Sequence, residues 1–220
     1  MKTSMLWMAG ACLIALALTG CALSAAQVPP PAVDAASGAK GQTAVAVLAG
    51  GCFWGVEAVF ERVRGVIDVT SGYAGGRRED AHYEIVSTGR TGHAESVRIT
   101  YDPSQVTYGK LLQVFFAVAH DPTQLNRQGP DWGTQYRSAI FYGNEEQKRV
   151  AEAYIQQLNS AKVFGKPLAT KMTPLEAFYP AEEYHQNFIE RNPDNGYVIY
   201  NDLPKLEQLH KKFPDLEVRR

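Results

Sequence analysis

Two periods of hydrophobicity alternate along the chain from residue 43 onward. Thr43 to Ala49 is a short, valine-rich apolar run of strand length, ended by Gly50-Gly51, and reads as a buried strand. From Gly55 the period becomes helical, with Val56, Val59, Phe60 and Val63 recurring and Gly65 as a stop. Val66–Tyr73 is the second strand, closed by Ala74-Gly75-Gly76. Glu95–Tyr101 is the third, with Ser96, Arg98 and Thr100 alternating against Val97, Ile99 and Tyr101. A helix is predicted over about Tyr108–Ala119 and a strand over Tyr136–Tyr142. A long helix capped by Asn144 runs to about Asn159. A strand near Leu168–Met172 and a short helix around Ala181–Arg191 follow, and a tail rich in Pro, Asn and Gly wraps over the rest. This order predicts an α+β protein: an α/β sandwich of helices packed on a mixed sheet, with a ferredoxin-like core and an irregular C-terminal tail, filling residues 43–220.

The first forty residues follow neither period. Residues 1–20 carry one charge, Lys2, and an apolar stretch from about Met5 to Leu18. That is short for a span of about 20 residues and has the shape of a signal peptide. It ends in Leu18-Thr19-Gly20-Cys21, which resembles the lipobox of bacterial lipoproteins. The resemblance implies acylation of Cys21 and a lipid anchor. Ala22 after the cysteine implies sorting to the outer membrane, facing the periplasm. An ordinary signal peptide cleaved nearby, with Cys21 an incidental thiol, is the alternative. Residues 21–42 are rich in Ala, Pro, Ser and Gly and read as a flexible tether.

Composition narrows the function classes. A formal net charge of −1 excludes a broad electrostatic footprint for nucleic acid. The five histidines, 82, 93, 120, 185 and 210, show no metal-ligand spacing, so neither metal nor cofactor is expected. A monomer is expected. The cysteines are Cys12, Cys21 and Cys52. Just one lies in the folded region, so an internal disulfide is not part of the fold.

Cys52 stands between a strand end and a helix start, where backbone N–H groups favour a thiolate. Gly50-Gly51 and Gly55 give the backbone freedom to turn and a substrate room to approach. Phe53 and Trp54 offer apolar surface beside the sulfur. A buried structural cysteine is the plain alternative.

Gly51-Cys52-Phe53-Trp54-Gly55 resembles the signature of the A-class peptide methionine-sulfoxide reductases. The pattern continues in order through Gly72-Tyr73-Ala74-Gly75-Gly76, Tyr83-Glu84, Thr91-Gly92-His93-Ala94-Glu95, Tyr101-Asp102-Pro103, His120-Asp121-Pro122-Thr123 and Gly133-Thr134-Gln135-Tyr136-Arg137-Ser138. It spans residues 43 to about 203. The resemblance implies reduction of the S epimer of methionine sulfoxide, free or in oxidised proteins and peptides. It implies Cys52 as nucleophile, Glu95 as general acid, Tyr83 and Tyr136 as hydrogen-bond partners of the oxygen, and Phe53 and Trp54 as a cage for the methyl group. It also places an active-site aspartate at Asp131 and a helix near the site at His185. Trp132 stands where the family pattern has a smaller or polar residue.

Many members carry resolving cysteines near the C-terminus, but Asn195-Gly196-Tyr197-Val198-Ile199-Tyr200 has none. A thioredoxin-like or glutaredoxin-like protein, or a small thiol, is then needed to reduce a sulfenic acid on Cys52. Two other readings stay open on the residues alone. One is a cysteine hydrolase or acyltransferase using His93, His120 or His185 as base. The other is a non-enzymatic lipoprotein binding an apolar ligand through Phe53 and Trp54.

Overall fold

The computed structural model describes residues 27–218; the signal peptide and Cys21 lie outside them. The chain order is β1 (Ala44–Gly50), α1 (Phe53–Glu61), β2 (Val66–Ala74), α2 (Tyr83–Val86), β3 (Ala94–Tyr101), α3 (Tyr108–Val114), β4 (Arg127–Gln128), β5 (Asp131–Trp132), β6 (Ser138–Tyr142), α4 (Glu145–Ser160), β7 (Lys171–Pro174), β8 (Phe178–Pro180), α5 (Phe188–Arg191) and α6 (Leu203–Lys212). The main sheet runs β7-β6-β1-β3-β2-β8, and β4 and β5 form a separate hairpin. Within β6-β1-β3-β2 every neighbouring pair is antiparallel. Two β-α-β halves interleaved in this way make the expected ferredoxin-like core. β7 adds in parallel to β6, which makes the sheet mixed.

Alternation on β1 and β3 sorts side chains between two faces. Ala46, Leu48, Val97, Ile99 and Tyr101 join the main core with Val56, Val59 and Phe60 of α1, Leu111 and Leu112 of α3, and Val150, Tyr154 and Leu158 of α4. Val47, Ala49, Ala94, Ala139 and Phe141 form a smaller cluster on the other face, under Leu175 and Phe178. Asn144 caps α4 as expected, its side chain accepting the Gln147 N–H at 2.9 Å.

Three expectations change. The helix foreseen over Ala181–Arg191 is two short turns, because Asn187 between them adopts φ +52°. The Asn187 N–H, freed from any helix, donates to buried Glu57 Oε2 of α1 at 3.0 Å. The tail is not irregular: a π turn at Val198–Asp202 leads into α6, and Val198 and Leu209 are fully buried. Finally, the described part of the tether, residues 27–42, contains no helix or strand but is not free. Val28 is buried, the Tyr154 hydroxyl donates to Pro29 O, and Gln157 bonds Pro30 O and Ala32 N. Asp34 accepts from the Thr107 hydroxyl and the Gly109 N–H at the start of α3. The first ten of these residues form a strap along α3 and α4.

Candidate active site

Cys52 ends the β1–α1 turn as the residue before the first turn of α1. Gly51 adopts φ +94°, and a Cβ there would lie 2.5 Å from the Gln128 side chain, so both backbone and space demand glycine. At Gly55 a Cβ would fall 2.1 Å from Asp202 Oδ1 and 2.5 Å from Lys205 Nζ. These two glycines therefore seat the loop and the tail around the cysteine. Neither lines the cavity on which Cys52 opens, contrary to the substrate-approach role expected for them.

That cavity, about 280 Å³, is lined by Cys52, Phe53, Trp54, Tyr83, Glu95, Asp131, Tyr136, Asn195 and Tyr197. All seven catalytic and cage residues singled out in the folded region thus share one pocket. Asn195 and Tyr197 are additions, contributed by the tail that was read as irregular.

Glu95 leaves β3 on the same side as Val97, Ile99 and Tyr101, toward the helical layer. It is 2 % exposed, and its Oε2 accepts the Phe53 N–H at 3.1 Å. Burial pushes its pKa up to about 8; the Phe53 N–H lowers it and the charge of Asp131 raises it. At neutral pH Glu95 therefore holds a proton.

Burial also pushes the Cys52 thiol well above its usual range, helped by the charges of Glu95 and Asp202 and opposed by the Trp54 N–H and Lys205. The helix N-terminus was expected to favour a thiolate here. Burial outweighs it: below about pH 8 Glu95 is neutral, and desolvation carries the shift. The site therefore pairs a protonated thiol with a protonated carboxyl.

The aromatic walls are fixed from behind. The Trp54 indole N–H donates to His185 Nδ1 at 3.2 Å, and the indole stacks on Phe188 with ring centroids 3.6 Å apart and planes 6° apart. The edge of Tyr197 closes its far side. Tyr83 sits at the start of α2, its N–H held by Glu182 Oε1, while Glu182 Oε2 accepts the Tyr73 hydroxyl. Burial raises the pKa of both Tyr83 and Tyr136, which keeps their hydroxyls protonated as donors. Across the pocket the Tyr197 hydroxyl donates to Asp131 Oδ2 at 2.5 Å. Trp132 points elsewhere: it is 67 % exposed and lies under the Arg127 guanidinium at 4.0 Å.

None of the three candidate base histidines lines the pocket. His93 Nε2 bonds Arg77 O. His120 spends both ring nitrogens, on Phe115 O and the Ser138 hydroxyl, and burial lowers its pKa to about 3. His185 uses Nδ1 as an acceptor, so its hydrogen is on Nε2, and burial lowers its pKa too. The hydrolase reading is left without a base beside the nucleophile. Among the described residues no cluster of three or more His, Cys, Asp or Glu could hold a metal ion.

A family model for peptide methionine sulfoxide reductase matches residues 44–217. The peptide methionine sulfoxide reductase MsrA 2 of Mesorhizobium japonicum is 60% identical over 171 residues, covering 78% of this chain and 88% of that protein. MsrA 2 of a Synechocystis strain is 55% identical over 191 residues, covering 86% and 89%. Among solved structures, methionine sulfoxide reductase A of Corynebacterium diphtheriae aligns with a TM-score of 0.60 at 37% identity, covering 71% of this chain and 79% of that one. With its matched span, its fold and its pocket in agreement, the chain belongs to the peptide methionine sulfoxide reductase family, in the A class.

Proposed function

We propose that this reductase acts on the S epimer of methionine sulfoxide, protein-bound or free, through a sulfenic acid on Cys52. The observation that carries this is the pairing of a buried thiol with a proton-holding carboxyl in one aromatic-walled pocket. The sulfoxide sulfur is electrophilic, but its oxygen is a poor leaving group until protonated. Glu95 supplies that proton, and the Tyr83 and Tyr136 hydroxyls hydrogen-bond the oxygen as charge develops on it. Phe53 and Trp54 enclose the methyl group, and the Tyr197–Asp131 pair faces the remainder of the substrate. The Cys52 sulfur gives up two electrons and gains the oxygen, the methionine sulfur gains the electrons, and the thiol proton restores Glu95. The products are methionine and a sulfenic acid.

A chiral sulfur presents its methyl, oxygen and chain in one handed order, so a pocket with a fixed cage and fixed donors accepts one epimer. Incubating the purified domain with each epimer and dithiothreitol is expected to consume the S form and leave the R form. Consumption of the R form alone, or of neither, overturns the reading.

No other cysteine follows Cys52, so an external thiol completes the cycle: one thiol displaces the oxygen as water to form a mixed disulfide, and a second releases Cys52. The substrates proposed are exported proteins damaged by oxidation. The apolar stretch before Leu18-Thr19-Gly20-Cys21 supports export and lipid anchoring at Cys21, facing the periplasm at the outer membrane. Finding Cys21 unmodified in the mass spectrum of the cell-extracted protein contradicts this placement.

A further inference from the structure

Cys52 opens on a second recess besides the substrate pocket. About 100 Å³ in volume, it is walled by Gln128, Gly129, Pro130, Asn201 and Lys205, and shares Cys52 and Tyr197 with the first pocket. The Gln128 amide is committed to Asp121 through both of its polar atoms, and Asn201 Nδ2 donates to Tyr197 O. Lys205 is the one cationic side chain in the wall. Its Nζ donates to Asp202 Oδ1 at 3.0 Å, and Asp202 is fully buried with Oδ2 unpartnered. Lys205 is part of the recess wall and Asp202 is not. The Lys205 side chain is 16% exposed, in reach of a solute entering between the β4–β5 turn and the start of α6.

We propose that this recess is the port through which the reducing thiol reaches oxidised Cys52, and that it selects a small thiol carrying an acidic group. The inference rests on the sulfenic acid reading above. Displacement at sulfur requires the incoming thiolate to lie in line with the departing oxygen. That oxygen is delivered inside the substrate pocket, beside Glu95, so a thiol entering by the same route meets the oxygen before the sulfur. The recess offers a separate approach to the same sulfur. The incoming thiolate forms an S–S bond to Cys52 as the S–O bond breaks. The hydroxide leaves toward Glu95 and takes its proton as water. The two electrons come from the thiol. A recess of about 100 Å³ suits a slender chain of a few heavy atoms rather than a bulky group. Lys205 attracts the carboxylate of such a molecule and raises the local population of its thiolate, the attacking form.

The test separates this step from the first. The full domain is oxidised with one equivalent of S-sulfoxide, freed of methionine, and mixed with 3-mercaptopropionate, 2-mercaptoethanol or cysteamine, each rate being corrected for its thiolate fraction. At low salt the expected order is anionic, neutral, cationic, with about tenfold between the extremes and a narrower spread at high salt. In Lys205→Gln the order collapses, whereas Lys205→Arg keeps it. A variant that folded poorly would slow all three thiols alike and leave the ratio unmoved, so the ratio is the readout. Equal rates in the unmodified domain, retention of the order in Lys205→Gln, or reduction by a protein dithiol alone overturns the proposal. Failure to form any sulfenic acid instead overturns the reading on which it rests.

Discussion

Replacing Cys52 with serine is expected to abolish methionine formation from both epimers at every thiol concentration, a larger loss than any other single change in the pocket. The reason is chemical. A serine hydroxyl cannot accept the sulfoxide oxygen and be oxidised, so no slower version of the same step remains. The pocket itself survives, because Trp54 is held by His185 and Phe188, Phe53 by Glu95 and His185, and Tyr83 by Glu182, not by the sulfur. Trp54 fluorescence titrated with S-sulfoxide therefore reports binding by Cys52→Ser, while methionine analysis reports none formed. Turnover above about one per cent of the unmodified rate contradicts Cys52 as nucleophile. Unchanged turnover with binding intact supports a different thiol or no covalent step.

Glu95→Gln is expected to lower the rate of methionine formation by about 10²–10⁴-fold, the range for removal of a positioned acid. The amide keeps the size and can still accept the Phe53 N–H through its oxygen, so the loss reports the missing proton. The sign with pH follows from the raised pKa. Glu95 is protonated below about 8 and ionised above it, so the rate of the unmodified enzyme falls as pH rises through about 8. In Glu95→Gln that descending limb disappears. Stopped assays of methionine formation from pH 6 to 10 at saturating sulfoxide measure both effects. A limb that persists in the amide variant assigns it to another group, such as a tyrosine or Cys52 itself.

The core was legible where period and punctuation agreed. Valine-rich β1, the glycine stops and the Asn144 cap all follow local rules, and the sheet order follows from two β-α-β units. Glu95 was legible in a way its composition hides. Taken alone it is a residue that solvent usually claims, but it shares its strand parity with Val97, Ile99 and Tyr101, and parity decides the face. The tail was misread because Pro193, Asn195 and Gly196 dominate its start. Leu203, Leu206 and Leu209 at helical spacing, with Pro204 in the first turn, carry the signal for α6. That helix matters for the site, since it brings Lys205 to Cys52 and follows Tyr197 out of the pocket wall. The break at Asn187 was not readable locally, because it depends on the buried Glu57 carboxylate of another helix. Likewise the strap at residues 27–36 has no periodicity. Its backbone groups bond Gln113, Tyr154 and Gln157, partners more than eighty positions away in sequence.

The state of the cysteine is where sequence and structure differ most usefully. A helix N-terminus alone argues for a ready thiolate, yet desolvation in this pocket keeps the thiol protonated. The sulfur therefore gains its nucleophilic form only as its proton is accepted within the site. That restrains side reactions of the resting enzyme, because the thiolate is the species that oxidises.

Transfer of the oxygen from methionine sulfoxide to Cys52 is tested most directly by mixing the reduced domain with excess S-sulfoxide and no reductant, then quenching with dimedone. The expected result is a burst of one methionine per protein and one dimedone adduct, located on Cys52 by peptide mass spectrometry. A methionine burst without an adduct on Cys52, or no burst from a correctly folded domain, contradicts it.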